Sequence, residues 1–158
     1  MSESTISRRS FPTPFGHVTI TAEDEKITSV ELCKKANSLG SSRVLQDAAK
    51  QIDSYLKGSL PKFSLPIKVS GTPFQLAVWK AIAKVPFGKT VSYGEIAKAI
   101  GKPLASRAVG AAVGANPTPL LVGCHRVLGS NGSLTGYSGG QGLKTKKLLL
   151  DFEGIEYD

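Results

Sequence analysis

From Ser106 to Ala115 the chain reads SRAVGAAVGA. The pattern predicts a helix over roughly 105–115, closed by Asn116-Pro117, yet Ala108, Gly110, Ala111, Ala112, Gly114 and Ala115 leave it almost without bulk. A glycine inside a helix costs about 0.5–1 kcal/mol relative to alanine. A helix carrying two of them needs an offsetting interaction, and its surface permits one above others, the close approach of another backbone. That backbone is either a second helix of the same chain or a nucleic-acid strand. Arg107 is the one large cation on the element. It is placed to reach a groove, to fill a vacated base position, or to bridge to a carboxylate.

The segments before this helix fix its setting. Ser92 and Glu95 form a capping box that opens a short helix to Ile100, and Gly101-Lys102-Pro103 then turns the chain. Two short helices across a glycine-containing turn have the shape of a helix-turn-helix. Upstream, Thr72, Pro73 and Gln75 start another helix, with Phe74, Ala77, Val78, Ala81, Ile82 and Val85 on one stripe, stopped by Pro86-Phe87-Gly88. The first third differs in kind. His17–Thr21 and Ile27–Leu32 alternate around a charged turn and predict a hairpin. Leu45, Ala48, Ala49, Ile52, Tyr55 and Leu56 recur at helical spacing up to Gly58. Residues 59–70 read as an extended connection, and Met1–Arg9 as a frayed polar tail. The expected fold is therefore α+β, a small N-terminal strand/helix module (1–70) packed on a mainly helical C-terminal domain (71–158) with a helix-turn-helix.

The 158 residues are enough for a core without disulfide staples. A net charge of +8 favours polyanionic partners, nucleic acid first. Cys33 and Cys124 lie far apart with no zinc-ligand spacing, so no metal site is expected, and two thiols fit a reducing compartment. No run is long enough to span a membrane, and the first residues lack the apolar core of a secretory signal. The expected location is the cytoplasm, or the nucleus in a eukaryote.

Chemistry concentrates in Leu121–Val127, LVGCHRV. A lone cysteine in an apolar run is ordinarily a small core hydrophobe. Adjacent His125 and Arg126 argue otherwise, because two ionisable groups make a dry site costly unless each is paired. Leu120–Val122 reads as a buried approach, a short strand or extended segment, that delivers Cys124 at its end. Consecutive side chains diverge, so His125 is expected to reach the thiol through water or a tight turn. The imidazole needs a third group to fix its tautomer, and Glu153, Asp151 and Glu95 are candidates, with Glu153 the most attractive. A soft sulfur nucleophile beside a helix-turn-helix suits displacement at an alkyl carbon on DNA, on a base first rotated out of the duplex.

The segments GTPFQLAVWKAI (71–82), VPFGKTVSYGEIAKAIGKP (85–103), SRAVGAAVGANPTPLLVGCHRV (106–127), GYSGG (136–140) and GLKTKKLLLDFEG (142–154) together resemble the O6-alkylguanine-DNA alkyltransferases. The resemblance is strong from about residue 63 onward and compatible before it. It implies single-turnover transfer of an alkyl group from O6 of guanine, with O4 of thymine a further candidate, to Cys124 of the protein itself, without a cofactor. The implied partner is double-stranded DNA carrying O6-alkylguanine, bound by a monomer with scope for cooperativity along the DNA. By the same resemblance His125 acts through water as base, Glu153 orients it, and Asn116 braces the turn. Tyr93 contacts the flipped guanine. The carbonyls of Cys124 and Val127 and the amide of Ser138 read the guanine edge. Tyr137 lines the pocket, and Lys146 supports it. Ser106, Arg107, Ala108 and Ala111 meet the DNA, with the bulk-free helix in the minor groove.

Two departures stand out. The family usually carries proline where this chain has Gly123, which implies a freer backbone and a looser site. The YSGGQGL loop looks longer than in many relatives, which bears on the alkyl groups accepted. Cys33 is expected to pack without chemistry. The nearest alternative, a non-catalytic binder of alkylated DNA, shares the architecture but lacks the acceptor cysteine.

Overall fold

The computed structural model describes residues 5–60 and 62–158. Three antiparallel strands begin the fold: β1 (Ile6–Thr13), β2 (Gly16–Glu23) and β3 (Lys26–Leu32), in the order β1-β2-β3. Helix α1 (Arg43–Leu56) lies against them. Its N-terminus is capped by Ser42, whose Oγ accepts from the Leu45 amide at 3.3 Å. Val18, Ile20, Ala22, Ile27 and Val30 of the sheet meet Val44, Leu45, Ala48, Ile52 and Tyr55 of the helix in one buried cluster. The hairpin and the helix are those expected from the sequence. The polar tail is not: Ile6–Arg9 pair with Glu23–Ile20 as part of an edge strand, while Met1–Ser4 lie outside the described residues. An edge strand is held by its main-chain ladder and tolerates charge, so Arg8 and Arg9 hide it from an apolar pattern.

The connection after α1 is tied back onto the sheet. The Ile27 amide donates to Pro66 O and the Lys68 amide to Ile27 O, each at 2.8 Å. The second half contains α2 (Pro73–Ala83), β4 (Val91–Ser92), α3 (Tyr93–Ala99), α4 (Ser106–Gly114), β5 (Val127–Leu128) and α5 (Leu143–Phe152). Both capping boxes form as the sequence predicts, at Thr72/Gln75 and Ser92/Glu95. Val78, Trp79 and Ile82 pack on Ile96, Ala97, Val109, Ala112 and Val113. Trp79 Nε1 donates to Ala112 O at 2.8 Å, an approach a larger residue on that face of α4 would impede. On the opposite face Ala108, Ala111 and Gly114 are exposed. Part of the small-residue stripe thus serves packing, and the rest is turned to solvent.

The segment expected as a buried strand or extended stretch is a tight turn. Pro117 and Pro119 have no amide to donate to a ladder. Instead the Val122 amide donates to Thr118 O at 3.0 Å, and Leu120 adopts φ 76°. This turn drives Leu120 and Leu121 into the N-terminal cluster, where Leu149 of α5 joins them. The chain then makes a single 3-10 turn, Cys124–Arg126, and enters β5, which pairs in parallel with β4. That pairing sets the Cys124 segment beside the start of α3.

The N-terminal core therefore contains side chains from both ends of the molecule. Leu149→Ala is expected to lower the unfolding free energy by about 2–5 kcal/mol. It should reduce amide protection in β2 as well as in α5, within one urea transition. Loss of protection confined to α5 would show that the two halves unfold separately.

Candidate active site

The site is organised around one carboxylate. Glu153 follows the last turn of α5 and is buried. Its Oε1 accepts from Arg126 Nε at 2.8 Å and from the Gly88 amide at 2.9 Å. Its Oε2 accepts from His125 Nε2 at 2.5 Å, Tyr55 Oη at 2.7 Å and Arg126 Nη2 at 3.0 Å. Burial alone would raise its pKa, but these donors outweigh it and hold the carboxyl at about 2. An ionised carboxylate only accepts, so Nε2 of His125 carries the proton and Nδ1 is left as the basic nitrogen. Nδ1 is buried and has no hydrogen-bond partner among the described residues. Burial pushes the His125 pKa down, Glu153 pulls it up, and the Arg126 and Lys146 charges push it down again; the net shift is downward. A neutral imidazole is therefore available as a base.

Cys124 is 2% exposed. Burial raises its thiol pKa, while Asn116, Tyr137 and the Lys146 charge oppose the rise. At rest the sulfur holds its proton and needs a base to release it. No hydrogen bond joins it to His125 among the described residues. Asn116 fastens the turn, with Nδ2 donating to Val122 O at 3.0 Å and Oδ1 accepting from the Thr118 amide at 3.0 Å. Lys146 is buried, and its ammonium donates to Val127 O at 2.8 Å and to Thr135 Oγ1 at 3.2 Å. Burial brings its pKa down to about 8, against the pull of Cys124.

A cavity of about 360 Å³ opens between Tyr93, Gly110, Val113, Gly114, Gly136, Tyr137 and Ser138. Tyr137 belongs to both the cavity and the thiol's surroundings, and its phenol is buried without a well-aligned hydrogen bond among the described residues. Tyr93 Oη shares a 2.6 Å hydrogen bond with Thr135 Oγ1, which links it to Lys146. Ser138 Oγ donates to Gly114 O at 2.7 Å, fastening the 136–140 loop to the end of α4. The two carbonyls expected to read a guanine already accept one bond each, Val127 O from Lys146 and Cys124 O from the Val127 amide. Ser106, Arg107, Ala108 and Ala111 form one exposed face of α4 beside the cavity, and Arg107 has no ion pair among the described residues.

Of the three candidate carboxylates, Glu153 alone meets His125. Glu95 caps Ser92 through its amide, and Asp151 accepts from Tyr157 Oη. Three contributors escaped the sequence reading, namely Tyr55, Gly88 and Thr135, and Arg126 had no assigned partner. Arg126 carried a usable signal, since a permanent cation in a buried run demands a buried carboxylate. Gly123 also differs from expectation. Its φ of −74° is open to any residue, so backbone freedom is not the reason for glycine. A Cβ there would stand 3.0 Å from Arg126 Nη1, which is held to Val85 O at 2.8 Å. The glycine gives the guanidinium room. The 139–142 loop is equally tight: a Cβ on Gly140, at φ 53°, would meet Thr145 Oγ1 at 2.6 Å and Cys33 Sγ at 2.9 Å. Among the described residues no group of His, Cys, Asp and Glu is arranged to hold a metal ion, and no helix is long and apolar enough to cross a membrane.

Comparison with known proteins agrees with this architecture. Residues 73–155 match the 6-O-methylguanine DNA methyltransferase DNA-binding domain, and residues 6–69 match the ribonuclease-like domain of the same proteins. A methylated-DNA–protein-cysteine methyltransferase of Methanosarcina acetivorans is 39% identical over 151 residues, covering 91% of this chain and 96% of that protein. The inducible enzyme of Bacillus subtilis is 55% identical over 109 residues, covering 69% of this chain; the match spans 60% of that protein's length. The Mycobacterium tuberculosis OGT structure in complex with DNA superposes with a TM-score of 0.81 at 38% identity, covering 93% of this chain and 92% of that one. The chain belongs to the 6-O-methylguanine DNA methyltransferase family.

The Glu153 geometry fixes a pH dependence. A carboxyl lowered in the folded state from 4.5 to about 2 contributes stability that is complete above 4.5 and lost as pH falls toward 2. Glu153→Gln leaves Arg126 buried without its anion and is expected to cost about 3–5 kcal/mol at neutral pH. Urea unfolding as a function of pH should show a steep acid limb in the wild type that flattens in the variant. Parallel limbs would place the acid sensitivity elsewhere.

Proposed function

We propose that this chain repairs O6-alkylguanine in duplex DNA by taking the alkyl group irreversibly onto Cys124. The observation that carries the reading is a buried thiol beside Tyr137, which lines an open cavity, with a carboxylate-held imidazole in the adjacent residue and a bulk-free helix face beside the mouth. The exposed face of α4 lies along the minor groove, its small residues admitting the sugar-phosphate walls. Arg107 takes the place of the extruded base, and the nucleotide enters between Tyr93 and Tyr137. The thiol proton passes through a water to His125 Nδ1, and Glu153 stabilises the imidazolium. Sγ attacks the alkyl carbon in line. The S–C bond forms as the C–O6 bond breaks, and the guaninate leaves with the bond's electron pair and is reprotonated. The Lys146 ammonium stabilises the thiolate as it forms. The resulting thioether has no route back, so each molecule acts once. Both thiols are free, which suits a reducing compartment such as the cytoplasm.

A duplex containing one O6-methylguanine, mixed with the protein and followed by intact mass and peptide mapping, tests the reading. One methyl group on the Cys124 peptide, stopping at one equivalent, is expected, with none on Cys124→Ala. Lesion binding without mass gain would make the chain a non-catalytic binder.

The helix face gives a second test. A Cβ on Gly110 would lie 3.9 Å from Tyr93, an ordinary contact. Gly110→Ala is therefore expected to raise stability by about 0.5–1 kcal/mol while weakening duplex binding, read by denaturation and by titration with labelled DNA. Unchanged DNA affinity would remove the reason for glycine there.

A further inference from the structure

We propose that Tyr55, a residue of the N-terminal module, is a positioning residue of the transfer reaction that sets the basicity of His125 through Glu153. The inference rests on the reading of Cys124 as acceptor and His125 as base.

Tyr55 closes the apolar stripe of α1, where Val44, Leu45, Ala48 and Ile52 need no polar atom. Its ring stands among Phe63, Phe87 and Phe152, with centroids 5.2–5.5 Å away, contacts that phenylalanine would make equally well. What phenylalanine lacks is the hydroxyl, and that hydroxyl is fully buried and donates to Glu153 Oε2. The same oxygen receives the His125 Nε2 proton. Two donors therefore compete for one oxygen's charge, with Arg126 Nη2 as a third.

The competition matters because His125 has little else to stabilise its cation. The charged or titratable groups acting on it are Glu153, Arg126 and Lys146, and two of these are cations. Of these three, only Glu153 favours the imidazolium. Each further donor on Oε2 reduces the negative charge available to Nε2–H and keeps the imidazole neutral to lower pH. Glu153 is held at about 2 by its donors and so stays ionised while His125 takes up its proton, which lets a change at Oε2 be read through the imidazole. The N-terminal module, none of whose described residues lines the cavity beside α4, thereby acts on the chemistry through the Tyr55–Glu153 hydrogen bond.

The test measures single-turnover transfer from an O6-methylguanine duplex to the full chain between pH 4.5 and 7.5, in the wild type, in Tyr55→Phe, and with 3-fluorotyrosine placed at position 55. In Tyr55→Phe the acid limb should move up by about 0.5–1 pH unit. The fluorinated phenol, a stronger donor of nearly equal volume, should move it down, and it keeps the test decisive if the phenylalanine variant folds poorly. Opposite shifts support the inference. A lowered plateau with an unmoved limb would mean a purely structural role and would overturn it, as would equal profiles in all three. A wild-type chain that gains no methyl group on Cys124 would overturn the parent reading, and this inference with it.

Discussion

A buried ion pair governs this molecule. Arg126 and Glu153 meet through two hydrogen bonds in a region where neither charge is tolerable alone. The price of burying them is met only because every lone pair of the carboxylate finds a donor. Those donors come from three separate places: α1, the turn before β4, and the 3-10 turn that supplies both His125 and Arg126. The carboxylate thus locks the end of α5 to the Cys124 segment and to the N-terminal module. The same bonds fix which nitrogen of His125 is basic. Structural and chemical demands converge on one side chain, so neither can be relaxed independently.

The second constraint is the outer face of α4. Helices at protein surfaces ordinarily carry long polar side chains, which add propensity and solvation. Ala108, Ala111 and Gly114 decline both, leaving Arg107 alone to carry charge. The inner face uses the same smallness differently, since Ala112 lets Trp79 reach its carbonyl. A single composition therefore serves two surfaces, one already occupied by protein and one shaped for a partner with little clearance. The loop from Gly136 to Gly140 completes the second surface, held by Ser138 to the carbonyl at the end of the helix.

Local chemistry was legible from sequence wherever one segment carries its own instructions. Both capping boxes, the hairpin and the α1 stripe fall where spacing placed them, because each depends on residues within a few positions. The edge strand β1 was hidden because main-chain pairing leaves no side-chain period. The turn at Leu120 was mistaken for a strand or extended stretch because its apolar residues are buried by tertiary contact, and two prolines exclude the ladder that a strand needs. In the site, neighbours in sequence were easiest to place. Tyr55 lies 98 positions from Glu153 and looked like one more apolar residue on a stripe. A hydroxyl that matters only through a distant carboxylate leaves no local trace. Gly123 was noticed for the right reason and explained by the wrong one, since its neighbour Arg126 had no visible partner until Glu153 arrived.

The partners of the central carboxylate follow one another along the chain as Tyr55, Gly88, His125 and Arg126, with Glu153 after them all. On the ribosome, where chains emerge from the N-terminal end, the group that every other one awaits is the last to appear. Until then a guanidinium and an imidazole have no counter-charge to enter the interior with, and Leu149 has not yet reached the N-terminal core. The order of synthesis therefore keeps the buried ion pair and the His125 hydrogen bond unassembled until α5 has left the exit tunnel.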